Sequence, residues 1–275
     1  MVFDLHNDFL TAVSDEDRST ELQSYASAGL RGCAFAVWTS ELKLDARSFG
    51  KYALPRTDFV SRRAVEDLGS VNIDDYASFL TEYRPLYVSL TWNGDNPLAG
   101  GTGCEAPLTA KGKRALAAMN ANGVPLDLSH LSDTAFYDAV GRAERVLVTH
   151  TAARALSGHP RCVTNEMAKL IAAHGGLIGV AAVPNFLNGS LVYGENCARD
   201  DYVRHICRFV EVVGADCVAI GTDFNGAEYF PRGLNSYTDF KYLKTDLLKY
   251  GLSEEETAKI FYKNAERFFG IEETK

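Results

Sequence analysis

The sequence predicts an α/β protein in which eight parallel strands close into a (β/α)8 TIM barrel. Short apolar segments alternate along the chain with segments of helical periodicity, a pattern typical of parallel strands joined by crossover helices. No G-x-G-x-x-G motif follows the first strand, where an open dinucleotide-binding sheet would need one. Polar, potentially reactive residues directly follow several strands, at the edge where barrel enzymes build their active sites.

The predicted elements follow one another along the whole chain. Strands are expected over residues 2–5, 32–38, 62–65, 86–91, 124–128, 145–148, 177–182 and 218–221. Helices are expected over residues 19–28, 73–83, 109–122, 133–143, 166–174, 200–213, 239–250 and 253–269. Ser253 and Glu256 form a capping-box sequence at the start of the last helix. We therefore predict one barrel domain over residues 1–275, with C-terminal helices at 239–269, and little helix between residues 39 and 58.

Composition and charge narrow the class of protein. A hydrophobic content of 46% with 23% charged residues is ordinary for a soluble domain of 275 residues. The formal net charge is −8 and no basic run occurs, which argues against nucleic acid or an anionic membrane as a partner. Neither a secretion signal nor a C-x-x-C pair is found, so six free thiols and a cytoplasmic location are expected.

Potential metal ligands directly follow five of the predicted strands. They are His6 and Asp8 after the first strand, Glu66 after the third, His130 after the fifth, His150 after the sixth and Asp223 after the eighth. Taken alone, His130 would serve equally well as a helix cap and Glu66 as a solvated loop charge. Their occurrence at the same end of five strands favours a shared site, because these ends meet at one rim of a barrel. Trp92 and Asn93, at the start of a glycine-rich segment over residues 93–103, follow the fourth strand at the same rim.

The residue types at this rim suit zinc or a similar divalent ion. His6, Asp8, Glu66, His130 and His150 provide five ligands, one more than a tetrahedral site with a single ion needs. This number favours two ions that share a bridging carboxylate. Glu66 is the expected bridge, because its strand lies between the two histidine groups.

The order and spacing of these motifs resemble the membrane (renal) dipeptidase family of zinc peptidases, which belongs to the amidohydrolase-type barrels of metal-dependent hydrolases. The resemblance runs nearly end to end and rests on seven segments and a C-terminal tail. The segments are His-Asn-Asp at 6–8, Val-Glu-Asp-Leu-Gly at 65–69, Leu-Thr-Trp-Asn at 90–93, Asp-Leu-Ser-His-Leu-Ser at 127–132, Thr-His-Thr-Ala-Ala-Arg-Ala-Leu at 149–156, His-Pro-Arg at 159–161 and Gly-Thr-Asp-Phe-Asn-Gly at 221–226. The tail combines Gly-Leu-Ser-Glu-Glu-Glu at 251–256 with Asn-Ala-Glu-Arg-Phe-Phe at 264–269.

The resemblance implies a dipeptidase that hydrolyses small dipeptides, including those with a D-residue on the C-terminal side, through a hydroxide bridging two zinc ions. His6 and Asp8 would bind one ion, His130 and His150 the other, and Glu66 both. Arg161 matches the arginine that binds the substrate carboxylate, a role suited to a planar guanidinium. Asp223 matches the aspartate that transfers the proton and contacts the free amine. The resemblance also suggests a homodimer.

Four features depart from the family pattern and concern the substrate more than the metals. Trp92 stands where the mammalian enzymes have a histidine that contacts the reacting carbonyl, which leaves Asn93 or a metal ion for that contact. Cys162 replaces an asparagine, Asn225 replaces a second aspartate, and residues 39–58 form a short segment that implies a different wall of the cleft. Two alternatives therefore stay open: another amidohydrolase acting on a small amide or lactam, and a non-catalytic barrel.

Overall fold

Eight parallel strands form a closed barrel in the order of the chain, which confirms the predicted (β/α)8 class. The computed structural model describes residues 1–40, 42, 44–189 and 196–271. The strands are Val2–Asn7 (β1), Leu30–Trp38 (β2), Val60–Glu66 (β3), Val88–Ser89 (β4), Leu126–Asp127 (β5), Val146–Thr151 (β6), Leu177–Val180 (β7) and Val218–Ile220 (β8).

Helices connect the strands around the outside of the barrel and extend the chain beyond β8. Their bounds are Phe9–Ala12 (α1), Arg18–Ser27 (α2), Ala46–Phe49 (α3), Tyr76–Tyr83 (α4), Ala110–Ala121 (α5), Asp133–Val140 (α6), Arg154–Ser157 (α7), Asn165–Ala173 (α8), Pro184–Asn188 (α9), Arg199–Val213 (α10), Phe240–Lys249 (α11), Glu254–Ala258 (α12) and Asn264–Phe269 (α13). The predicted capping box of Ser253 and Glu256 opens α12, and a π-helical turn joins α12 to α13. Among the described residues, no helix has both the length and the apolar character needed to cross a bilayer.

The fourth and fifth strands are shorter than the sequence pattern predicts, and side chains join the hydrogen bonds near their C-terminal ends. The carbonyl of Leu90 accepts from the side chain of Asn96 at 2.7 Å as well as from the backbone N–H of Gly69 at 3.1 Å. In β5, a carboxylate oxygen of Asp127 accepts from the backbone N–H of Thr149 at 3.0 Å. Both changes lie at the C-terminal rim, where the backbone turns toward the predicted site.

The opposite end of the barrel is closed by apolar packing. Phe3 and Leu5 of β1 belong to a buried cluster inside the strands, against which the last helix packs. Phe269 of α13 stacks on Phe3 with ring centroids 6.2 Å apart, and Phe268 packs against Arg145 at the start of β6. The floor is therefore a packed core, and the polar chemistry is confined to the C-terminal rim.

Four non-glycine residues at this rim have a left-handed backbone conformation. The φ angles are 69° at Asp67, 66° at His130, 65° at Asp223 and 66° at Asn225. Such angles cost about 1–2 kcal/mol for a residue with a Cβ atom and are frequent at functional sites. They turn the chain sharply at the strand ends, and His130 and Asp223 are two of the residues that sequence analysis assigned to the site.

Candidate metal centre

The structure brings together the six predicted rim residues around the carboxylate of Glu66. One oxygen, Oε2, lies 3.6 Å from Nε2 of His6, which is itself 3.3 Å from Oδ2 of Asp8. The other oxygen, Oε1, lies 2.9 Å from Nε2 of His130 and 3.5 Å from Nε2 of His150. Asp223 completes the group, with Oδ1 at 3.9 Å from Nε2 of His6. Oε2 of Glu66 is thus nearest to His6, and Oε1 is nearest to His130 and His150.

A tyrosine inside the barrel orients the imidazole of His6. The hydroxyl of Tyr87 donates to the carbonyl of Leu5 at 2.8 Å, so its oxygen is left to accept from Nδ1–H of His6 at 3.0 Å. When the ring is neutral, this tautomer places a lone pair on Nε2, the atom that lies closest to Asp8 and Glu66. The same atom is buried and has no hydrogen-bond partner.

The other two histidines have their protons placed in the same way. The side-chain oxygen of Asn93 accepts from Nδ1–H of His130 at 2.8 Å. The hydroxyl of Thr149 donates to Asp127 at 2.6 Å and therefore accepts from Nδ1–H of His150 at 2.8 Å. The Nε2 atoms of the two rings then face each other as lone pairs at 2.9 Å, an arrangement that is repulsive without a shared cation.

The pKa shifts of His6 and His130 go in opposite directions. Burial lowers the pKa of His6, but the neighbouring Tyr87, Glu66 and Asp8 more than offset this effect and raise it well above its ordinary value. Burial and the charge of Arg161 lower the pKa of His130 to about 4. Its imidazole is therefore neutral at pH 7 and available as a ligand.

The carboxylates show the cost of gathering negative charge without a cation. Burial is the main cause that raises the pKa of Asp8 and of Asp223, and the repulsion from Glu66 adds to it in both cases. The pKa of Glu66 is instead held well below its usual range, because His6 and His130 outweigh the effect of its burial. A divalent ion would offset both the cost of burying these charges and the repulsion between them.

These residues fit a divalent cation of the zinc type. The donors are imidazole nitrogens and carboxylate oxygens, the set that zinc prefers when no thiolate is present. His6, Glu66 and His150 offer one compact group of ligand atoms, and His6, Asp8 and Asp223 offer a second. Oδ1 of Asp8 is also buried without a hydrogen-bond partner. Gly226 allows this packing, because a Cβ atom there would lie only 2.2 Å from Oδ2 of Asp8.

A cavity of about 370 Å³ opens above these residues. Its acidic floor consists of Asp8, Glu66 and Asp223. The described residues that complete its lining are Thr11, Ala12, Trp38, Trp92, Asn93, His130, Val183, Phe186, Asn225, Gly226 and Ala227. A cavity of this size is suited to a small molecule rather than to a polymer.

Arg161, the predicted carboxylate-binding residue, lies just behind this lining. One Nη atom donates to the carbonyl of His150 at 3.0 Å, and the guanidinium carbon lies 5.5 Å from the ring centroid of Phe186. Nε of Arg161 is buried without a hydrogen-bond partner. The structure therefore places a positive charge against Phe186, a residue that lines the cavity.

Several residues that shape the centre had no predicted role from the sequence. Trp38 ends β2 at the same rim and could have been found by the rule that identified the ligands. Tyr87 and Asp127 gave no such signal, because they precede the strand ends in apolar surroundings. Asn225, which departs from the family pattern, donates to Asn7 and to Tyr25.

The role inferred for Tyr87 can be tested by replacing it with phenylalanine. Tyr87→Phe removes the acceptor that holds the Nδ1 proton of His6, so affinity for one ion is expected to fall about 10–100-fold. Competition with a chromogenic chelator measures this affinity. Tyr202→Phe is the matched control, because its buried hydroxyl donates to the carbonyl of Val180 and touches none of the predicted ligands. Equal losses in both variants would contradict the assignment.

Comparison with known proteins identifies the family of this chain. The sequence pattern of the membrane dipeptidase family (peptidase family M19) matches residues 67–275. An uncharacterized dipeptidase of Schizosaccharomyces pombe, C965.12, is 29% identical over 184 residues, which cover 62% of this chain and 43% of the yeast protein. The chain thus spans less than half the length of that curated relative.

Solved structures share the fold over nearly the full length of the chain. The metallopeptidase dipeptidase AC is 21% identical with a TM-score of 0.86, covering 98% of this chain and 97% of its own. A metallopeptidase from Rhodobacter sphaeroides, bound to a phosphinate mimic of the dipeptide L-Ala-D-Ala, is 20% identical with a TM-score of 0.82 and 98% coverage of both chains. Because the family's sequence pattern matches residues 67–275, the chain belongs to the membrane dipeptidase family, peptidase family M19.

Proposed function

We propose that this protein is a metal-dependent dipeptidase that uses two zinc ions to hydrolyse small dipeptides. The observation that carries the proposal is that the Nε2 atoms of three histidines lie within 3.6 Å of the carboxylate of Glu66. Oε2 of Glu66 faces the group of His6 and Asp8, whereas Oε1 faces His130 and His150. We assign one ion to each group and the bridging role to Glu66.

The protein's own residues would position the substrate and move the proton. Bound ions of this type acidify a water molecule and polarise the peptide carbonyl. Asp223 lines the cavity and is 15% exposed, so it can accept the proton of that water and return it to the leaving amine. Arg161 supplies positive charge for the carboxylate of the dipeptide. Asn93 keeps its oxygen on His130, which leaves its amide N–H groups for the reacting carbonyl.

The substrate class rests on the relatives and on the size of the cavity. The R. sphaeroides metallopeptidase binds a mimic of L-Ala-D-Ala, a dipeptide with a D-residue at its C-terminal side. A cavity of about 370 Å³ accommodates a molecule of that size. We therefore propose dipeptides with either stereochemistry at the second residue as substrates.

A panel of L,L and L,D dipeptides, assayed with zinc-loaded protein, tests this function. Free dipeptides are expected to be cleaved, and an N-acetylated control at least tenfold more slowly, since Asp223 would lose the amine. Arg161→Ala is expected to raise KM about 10–100-fold, because one charged hydrogen bond to the carboxylate of the dipeptide would be lost. An unchanged KM in this variant would favour another amidohydrolase acting on a small amide or lactam. Less than one bound ion per chain, with no rescue by zinc or manganese, would favour a non-catalytic barrel.

A further inference from the structure

Both tryptophans of the chain stand together in the cavity above the metal centre. The sequence contains only Trp38 and Trp92, and both line this cavity. Their ring centroids are 5.3 Å apart and their planes are inclined by 69°, an edge-to-face contact of the kind that aromatic pairs prefer. The two rings therefore form one apolar surface.

This tryptophan pair adjoins the residues that would hold the reacting bond. Trp38 on β2 is the β-ladder partner of Glu66 on β3, so the indole and the shared carboxylate extend from adjacent strands. The Trp92 ring centroid is 6.1 Å from that of His130. A substrate bound at the metal centre would therefore have one of its groups against the indoles.

The other residues that line the cavity include an apolar group and an acidic group. Val183 and Phe186 form a second apolar wall, contributed by the segment after β7. Asp8 and Asp223 lie at the floor, and the described lining residues include neither lysine nor arginine. Apart from the proposed metal ions, no cationic side chain among these lining residues would pair with an acidic side chain of a substrate.

We propose that the Trp38–Trp92 pair is a side-chain subsite that selects dipeptides carrying a large apolar or aromatic residue. The inference rests on the proposed dipeptidase function and deepens it. A leucine or phenylalanine side chain would remove apolar surface from water against the indoles, and an aromatic ring would add edge-to-face contact. An aspartate side chain would lose water against the indoles without a lysine or arginine among the described lining residues to pair with.

Turnover of two dipeptide series tests the subsite, one with the variable residue first and one with it second. In one of the two series, dipeptides with phenylalanine or leucine at the variable position are expected to have a kcat/KM about 100-fold higher than those with aspartate. This difference is within the range that apolar pockets achieve. Trp38→Ala is expected to reduce the phenylalanine-to-alanine ratio of kcat/KM about tenfold, whereas Trp38→Phe keeps most of it. A wild-type preference for aspartate or lysine side chains, or none at all, would overturn the inference.

Intrinsic fluorescence gives a readout that does not depend on turnover. Because the two tryptophans of the chain both lie in the subsite, the whole tryptophan emission reports on it. A phosphinate mimic of Leu-Leu is expected to shift this emission and to bind zinc-loaded protein at least tenfold more tightly than a mimic of Gly-Gly. Equal affinities, or an emission that neither mimic changes, would refute the subsite.

The two assays separate the two proposals. If no dipeptide is cleaved, the dipeptidase function fails, and the fluorescence titration still decides whether the indoles prefer apolar groups. If dipeptides are cleaved without a side-chain preference, the subsite alone fails. Metal content and melting temperature of each tryptophan variant show whether its fold and its metal centre are intact.

Discussion

Glu66→Gln is expected to lower kcat/KM by at least about 10³-fold, because a bound metal ion supplies several kcal/mol of transition-state stabilisation. The carboxylate faces both histidine groups with its two oxygens. Glutamine keeps one oxygen but turns an amide N–H₂ toward one of the two groups, where a cation should bind. Metal analysis after mild purification is expected to show fewer ions per chain than in the wild type. Glu166→Gln, an exposed change in the first turn of α8, serves as the matched control.

The same change has a consequence for stability. Ligands that bind only the folded state stabilise it by mass action, so a chelator is expected to lower the melting temperature of the wild type. Glu66→Gln should show a smaller decrease, since it has less bound metal to lose. An unchanged wild-type melting temperature with chelator, together with full activity of Glu66→Gln, would rule out a metal centre built on this carboxylate.

Asp223→Asn is expected to lower kcat about 10²–10⁴-fold, the usual contribution of a positioned acid or base. Asparagine tolerates the left-handed backbone found at this position, where φ is 65°, so the change removes charge without adding backbone strain. Full metal content in this variant would identify Asp223 as the group that moves the proton. Loss of an ion would instead make it a ligand, in keeping with its distance of 3.9 Å from Nε2 of His6.

The fold and the residues that lie together at the centre were predictable from the sequence for a physical reason. The C-terminal ends of parallel strands meet at one rim of a barrel, so a residue such as His130 or Asp223 can be placed there once its strand is recognised. The same rule brings His6 and Glu66 together although 60 positions separate them. Their roles as ligands stay predictions until metal binding is measured.

Other parts of the centre depend on contacts that no linear pattern encodes. Tyr87 and Thr149 act through the direction in which each hydroxyl donates, which follows from three-dimensional neighbours such as Leu5 and Asp127. The cavity wall formed by Phe186 depends on where the segment after β7 folds back. Apolar periodicity likewise cannot show the side-chain hydrogen bonds that Asn96 and Asp127 make near the ends of β4 and β5.

Closure of the barrel floor by the last helix has a consequence for synthesis. β1 pairs with β8, and Phe3 near the start of the chain packs against Phe269 near its end. A nascent chain that has reached β7 can form only an open sheet with two unpaired edges, and such edges invite pairing with other chains. The barrel therefore closes only after β8 has been synthesised and can pair with β1.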